Sequence, residues 1–220
     1  MQFSGIIGAP LLHLLTPLTI MEASIYWTIF SFLAGLVIVL VMMKPDMEMR
    51  SARDAASFGG VILWSVTGFF MAYLAQVAAV MIETMLLGIE PGSENTQFIM
   101  EISRATPLFV IIPMIIAPIL EEIVFRKIIF GSFYKHMNFF FAALLSALIF
   151  GFIHGEPQHI LIYASMGFVF SYVYVKTKRL IAPILVHAGM NSFAVIAQYS
   201  MTPEEIQQQL DQLQMILIGG

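Results

Sequence analysis

From Ile25 to Met43 the chain carries no charged side chain, and comparable apolar stretches recur as far as Tyr199. About 20 apolar residues in a helix cross the hydrocarbon of a bilayer, so each such run reads as a membrane helix. The composition extends this to the whole chain: 59% of residues are apolar and 11% charged, with a mean hydropathy of +0.88. Soluble domains have about 45–50% apolar and about 25% charged residues. The expected fold is all-α, a polytopic membrane helical bundle of about seven transmembrane helices in the cell membrane. Cysteine is absent, which excludes disulfides, a thiolate nucleophile and a sulfur-ligated zinc site. The bilayer is the expected surrounding partner, and no nucleic-acid partner is expected.

The spans follow in order. Gly5 to Met21 is short for a crossing, holds Pro10 and Pro17, and lacks the basic start and small-residue cleavage site of a secretory signal. Ile25 to Met43 is the second span and Phe58 to Gly88 the third, with a polar loop expected from Lys44 to Ser57. Glu90 to Thr106 is a second polar segment, and Pro91-Gly92-Ser93 reads as a turn. The fourth span runs from Pro107 to about Phe130, the fifth from Phe139 to His154, the sixth from about Ile160 to Val175, and the seventh from Leu180 to Tyr199. These divide into N-terminal spans (1–106), a four-span core (107–200) and a tail (201–220). The tail reads as an interfacial or solvent helix.

Basic residues fall on alternate connections: Lys44, Arg50 and Arg53; Lys127 and Lys135; Lys176, Lys178 and Arg179. The other connections hold only Arg104. By the positive-inside rule the three clusters are cytoplasmic, which puts the N-terminus inside and the C-terminus outside.

Within the fourth span lies Glu121-Glu122-Ile123-Val124-Phe125-Arg126. Charge in hydrocarbon costs about 2.5–3.5 kcal/mol per residue on insertion scales, so this stretch needs a reason. Glu122 and Arg126 are four apart on one helical face, with the acid first, the favourable order for an ion pair. Glu122 is thus expected to support Arg126 rather than react. Glu121 points about 100° away and has no partner within its own turn. Its candidate partners are His154, with Phe150 one turn before it, and His187, with Asn191 one turn after. Interhelical hydrogen bonding explains any one of these residues alone. A carboxylate, two histidines and an asparagine on three spans point to a site.

A carboxylate and an imidazole can activate a water, while a second imidazole and an amide can stabilise the oxyanion formed at a carbonyl. Glu121, His154 and His187 could instead hold a zinc ion with an open position. The expected chemistry is hydrolysis of an acyl bond, a peptide in the first instance, with or without metal. No other cofactor is expected. One feature fits poorly. At 1.5 Å per residue, Glu121 and His187 lie roughly 10–14 Å deep but His154 near 22 Å, so the fifth helix either starts after Phe139 or tilts.

These residues resemble the CAAX-processing and bacteriocin-processing intramembrane endopeptidases. The EExxxR motif is matched by Glu121, Glu122 and Arg126, FxxxH by Phe150 and His154, and HxxxN by His187 and Asn191. The resemblance covers about Pro107 to Ser200. It implies Glu121 and His154 as water activators, His187 and Asn191 as oxyanion donors, and Glu122 with Arg126 as support. It also implies a membrane-bound peptide or protein as substrate and a site opening to the cytoplasmic side. Prenyl-protein cleavage is not carried over. A non-catalytic scaffold, immunity or regulatory protein of the same fold is the main alternative. A transporter or proton relay is disfavoured by the lack of an internal repeat.

The remaining polar residues read as ordinary. Glu156 and His159 flank Pro157 in what reads as a solvated external turn. His13 and Glu83 lie near span ends, and His136 lies in a basic loop. The methionines read as packing and lipid-facing residues.

Overall fold

The computed structural model describes residues 4–48 and 54–202, and in the tail only 205, 208, 209, 211, 212, 215 and 216. Arg50, Arg53 and most of the tail expected to form a helix lie outside the described residues. The described chain is helical: α1 (Gly5–Leu15), α2 (Ile20–Glu48), α3 (Phe58–Leu87), α4 (Glu94–Ala105), α5 (Pro107–Tyr134), α6 (Phe139–Ile153), α7 (Ile160–Thr177) and α8 (Ile181–Tyr199). By length and composition, α2, α3, α5, α7 and α8 can cross a membrane, α7 taken with the short 3₁₀ turn Pro157–His159 before it. The other two expected spans, α1 and α6, are apolar helices but shorter. The protein is a polytopic helical bundle.

Local chemistry sets the boundaries. The Ser57 hydroxyl caps α3 by accepting from the Gly60 N–H, and Gly88 ends it in the left-handed region at φ 67°. Asn138 caps α6 through the Phe141 N–H at 3.2 Å. Two segments differ from the sequence reading. α2 continues through Lys44 and Pro45 to Glu48, although Pro45 has no N–H to give the carbonyl four residues before it. The polar segment after Pro91-Gly92 becomes an amphipathic helix, α4. Ser93 caps it by accepting from Thr96 N–H at 3.0 Å, and Met100, Ile102 and Ser103 form its buried side.

One packed body joins α3, α7 and α8 around Ala72, Phe170, Val173, Val186 and Met190. α3 can approach this closely because residue 68 is glycine. A Cβ there would lie 2.7 Å from Val173 Cγ2 and 2.8 Å from Val186 Cγ2. Small residues at helix contacts are how membrane helices gain packing energy without a hydrophobic drive. A second body joins α2 and α4 to the first half of α5 through Ile25, Ile29, Ile102, Ile112 and Ile116. α5 contacts both bodies, and the charged stretch sits on it. Large apolar side chains such as Phe30, Val41, Phe58, Phe70, Leu74 and Phe152 face outward, as lipid contact requires.

Candidate active site

α5 is not a uniform helix. π-helical turns at Ile112–Ile116 and Ile123–Phe130 flank an α-helical segment, Ala117–Glu122. The prolines explain the first. The Ala117 N–H bonds back to Ile112 O, and the residue five after Pro113 is Pro118, which has no N–H. The Pro113 carbonyl is therefore left without a backbone donor. Asn191 Nδ2 of α8 donates to it at 2.9 Å. In the second π-helical stretch the Ser146 hydroxyl of α6 donates to Phe125 O at 3.0 Å. Helices that depart from the regular ladder in this way often do so at functional sites.

Glu122 and Arg126 pair as their spacing suggests, with Arg126 Nε 2.9 Å from Glu122 Oε2 and both side chains 0% exposed. The alignment is outside hydrogen-bond geometry, and neither terminal guanidinium nitrogen has a hydrogen-bond partner among the described residues. Charge and aromatic faces hold the group instead. Its Cζ lies 5.0 Å from the centre of the Phe150 ring and 5.2 Å from that of Phe170, within the range of a cation–π contact.

The other oxygen of Glu122 takes a second partner, His187 Nδ1 at 2.9 Å. Glu122 therefore links the buried cation to the imidazole of α8. Across that ring, His187 Nε2 lies 3.6 Å from Glu121 Oε2. His187 is buried and stacks on Phe170 (centroids 4.9 Å, planes 23° apart), whereas the Glu121 side chain is 32% exposed. The adjacent glutamates thus divide, one turned inward to the arginine and one partly open.

His154 caps the C-terminal end of α6. Its Nδ1 lies 2.7 Å from Phe150 O. A carbonyl can only accept, so Nδ1 carries the proton and a neutral ring keeps its lone pair at Nε2. Glu121 and His187 are both close enough to act on it electrostatically. Phe150 lies between the histidines, with ring centroids 4.5 Å from His154 and 5.7 Å from His187. α6 starts at Phe139, as expected, so a late start does not explain the depth mismatch.

The structure therefore gathers residues of EExxxR, FxxxH and HxxxN around one centre. The family described as type II CAAX prenyl endopeptidase, Rce1-like, matches residues 103–193, which contain all three motifs. YdiL of Bacillus subtilis, provisionally named a membrane peptidase, is 43% identical over 229 aligned positions, covering 100% of this chain and 93% of the relative. This chain belongs to the CAAX protease family. A second relative in the family is MroQ of Staphylococcus aureus, named a membrane-embedded CAAX protease. It is 33% identical over 205 positions, covering 89% of this chain and 82% of MroQ. No solved structure matches the chain significantly.

Support for this CAAX-family site also comes from residues outside the motifs. The turn after His154 opens with Gly155 at φ 79°, a conformation that glycine adopts without penalty. Glu156, expected to be solvated, is buried. It accepts from Ser93 Oγ at 2.8 Å, from Asn95 N–H at 3.1 Å and from the Tyr163 hydroxyl. His159 and Glu83, also read as ordinary, are 7% and 1% exposed and pair at 2.9 Å, and the Ile162 N–H donates to Glu83 at 3.3 Å. The turn carrying His154 is therefore tied to the ends of α3 and α4. The sequence offered one usable clue, that Glu83, Glu156 and His159 all stand where a span meets a short connection. Phe170 and Tyr163 gave no signal among so many aromatics.

The zinc alternative fits poorly as the residues stand. Among the described residues no three histidine, aspartate or glutamate side chains are grouped closely enough to hold a metal ion. The three candidate donors Glu121, His154 and His187 form no such set, and no step below is routed through a metal.

Proposed function

We propose that this CAAX-family membrane protein is an intramembrane endopeptidase that hydrolyses a peptide bond of a membrane-associated protein or peptide. The observation that carries the reading is the pair of anchored imidazoles. Both have Nδ1 engaged, His154 by a carbonyl and His187 by Glu122, which leaves each Nε2 for chemistry. Beside them stands Glu121, the one partly open carboxylate.

In this reading Glu121 and His154 Nε2 hold a water. The water oxygen adds to the scissile carbonyl carbon, and its proton passes to Glu121. The carbonyl oxygen, now negative, takes hydrogen bonds from His187 Nε2–H and from the second N–H of Asn191. His187 can donate there only when doubly protonated, since Nδ1 is committed to Glu122. Collapse breaks the carbon–nitrogen bond, and the amine leaves with a proton returned by Glu121. Glu122, Arg126 and Phe150 position the imidazoles and do not touch substrate.

The test is Glu121→Gln and His154→Ala in a peptide-cleavage assay on purified protein, with insertion checked separately. Loss of cleavage at normal insertion is the expected result. Biological activity retained by both variants would establish the scaffold alternative instead. Chelator treatment with metal analysis separates the metal-free route: cleavage that survives a chelator fits it, and loss restored by zinc replaces it.

A further inference from the structure

The first turn of α7 is capped from another helix. A helix leaves its first N–H groups without an internal acceptor, and a polar side chain at the N-cap position ordinarily accepts from one of them two or three residues on. In α7 that position is His159, whose ring makes no cap bond. The ring is turned to Glu83 of α3 instead, with Nδ1 2.9 Å from Oε2. The other oxygen of Glu83 accepts the Ile162 N–H at 3.3 Å. Ile162 follows His159 by three residues, the place that an N-cap side chain would serve.

The Glu83 carboxylate thus takes over the missing cap and ties α7 to α3 with the same bond. A negative group is favoured at a helix N-terminus. Glu83 is itself held in place, because its carbonyl accepts the N–H groups of Gly88 and Ile89 where α3 ends. Glu83 and His159 are both buried, and no step of the hydrolysis proposed above uses either.

Ile162 is followed by Tyr163, whose ring stacks on His154 and whose hydroxyl donates to Glu156. Those two contacts hold the ring. The bond from Ile162 to Glu83 holds the backbone that carries it. A shift of the first turn of α7 moves the ring, and His154 then loses one wall of its seat.

Resting on the endopeptidase reading above, we propose that Glu83 is a positioning residue for the hydrolysis. By capping α7 from α3 it sets Tyr163 against His154, and through Tyr163 it orients the imidazole that activates water. It touches neither water nor substrate. Its contribution is a pair of hydrogen-bond positions rather than a charge. A glutamine meets both, its oxygen accepting from Ile162 and its amide donating to a neutral His159 Nδ1.

The test compares Glu83→Ala, Glu83→Asp and Glu83→Gln with wild type and with Tyr163→Leu. Each is assayed for peptide cleavage and examined by NMR with 13C in the histidine rings, the His154 signal being assigned by its loss in His154→Ala. Glu83→Ala should lower kcat about tenfold, the scale of a lost helix cap, with KM unchanged within about twofold. Glu83→Asp, one methylene short of the two donors, should lose several-fold, and it carries the test where the alanine variant does not insert. Glu83→Gln should retain most of kcat. In the Tyr163→Leu background, Glu83→Ala should cost less than about twofold more, because the two residues act in series. The His154 signal, displaced by the ring current of Tyr163, should move in Glu83→Ala in the direction it moves in Tyr163→Leu. Full kcat in the alanine and aspartate variants, an effect on KM alone, losses that multiply with Tyr163→Leu, a glutamine variant as slow as alanine, or an unmoved His154 signal each overturn the proposal. Wild-type protein that never cleaves sinks the endopeptidase reading instead, and the His154 signal then decides the tie from Glu83 without catalysis.

Discussion

The ring of Tyr163 lies stacked on the imidazole of His154, with centroids 4.1 Å and planes 22° apart. Phe150 meets the same imidazole from another direction. His154 is thus fixed by a backbone carbonyl at Nδ1 and by two aromatic rings, with the Tyr163 hydroxyl tethered in turn to Glu156. General base catalysis depends on position first and proton affinity second.

Removing the ring should therefore cost rate more than it costs folding. Tyr163→Leu deletes the stack, and aromatic pairs are worth about 0.5–1.5 kcal/mol beyond buried area. A loss of that size in transition-state positioning lowers kcat by up to about tenfold. Tyr163→Phe keeps the ring and should retain most of the rate. Equal losses in the two variants would show that the hydroxyl, not the stack, matters.

Glu156 gives a pH dependence with a defined sign. Burial opposes its ionisation, but hydrogen bonds from Tyr163, Asn95 and Ser93 outweigh this and hold its pKa below the ordinary 4.5. A carboxylate depressed on folding adds stability above its unfolded pKa and loses it as pH falls through the folded value. Thermal stability in detergent should therefore drop as the pH is lowered below about 4.5. Glu156→Gln should be less stable at neutral pH and show a shallower acid drop. An identical acid profile in both proteins would remove Glu156 as the source.

Much of the bundle and centre was legible because charge is costly in hydrocarbon. Glu121, Glu122, Arg126, His154 and His187 stand out from apolar surroundings, and helical spacing pairs Glu122 with Arg126 correctly. What spacing could not show is that Glu122 uses its other oxygen for His187, since that contact joins α5 to α8. Glu83, Glu156 and His159 were missed for a related reason. A polar residue between spans has the same local sequence whether water or a docked helix satisfies it. The π-helical turns of α5 were hidden too. Pro113 and Pro118 announced a broken ladder, but not that Asn191 would meet the freed carbonyl.

Glu122 offers a sharp contrast with its neighbour. Glu122→Ala leaves Arg126 buried without its counter-charge, and breaking a buried pair by removing one partner costs about 3–5 kcal/mol. The variant should insert poorly or unfold at much lower temperature in detergent, whereas Glu121→Gln should melt close to wild type. A well-folded but inactive Glu122→Ala protein would refute the supporting role and move Glu122 into the reaction itself.

Gly68 tests whether the α3 contact sets the packing of α7 and α8. A methyl group added there meets Val173 and Val186 at under 3 Å, and overpacking of this kind costs about 1–3 kcal/mol. Gly68→Ala should lower the melting temperature, and Val173→Ala placed with it should recover part of the loss. Because His187 follows Val186 directly on α8, cleavage should fall with stability in the single variant and return in the double. A single variant with unchanged melting would mean that the helices separate at no cost.

The link between Asn191 and the prolines of α5 can be measured by a double-mutant cycle. Asn191→Ala leaves the Pro113 carbonyl unpaired, and an orphaned buried polar group costs about 1–3 kcal/mol. Pro118→Ala restores a backbone N–H five residues after Pro113, the position from which a π-helical bond can reach that carbonyl. The stability lost on removing Asn191 should therefore be smaller in the Pro118→Ala background than in wild type. Catalysis should behave differently. If the second N–H of Asn191 serves the oxyanion, restoring the backbone bond recovers stability but not kcat. A recovery of both would show that Asn191 acts only through the shape of α5, while additive losses in stability would break the link to Pro118.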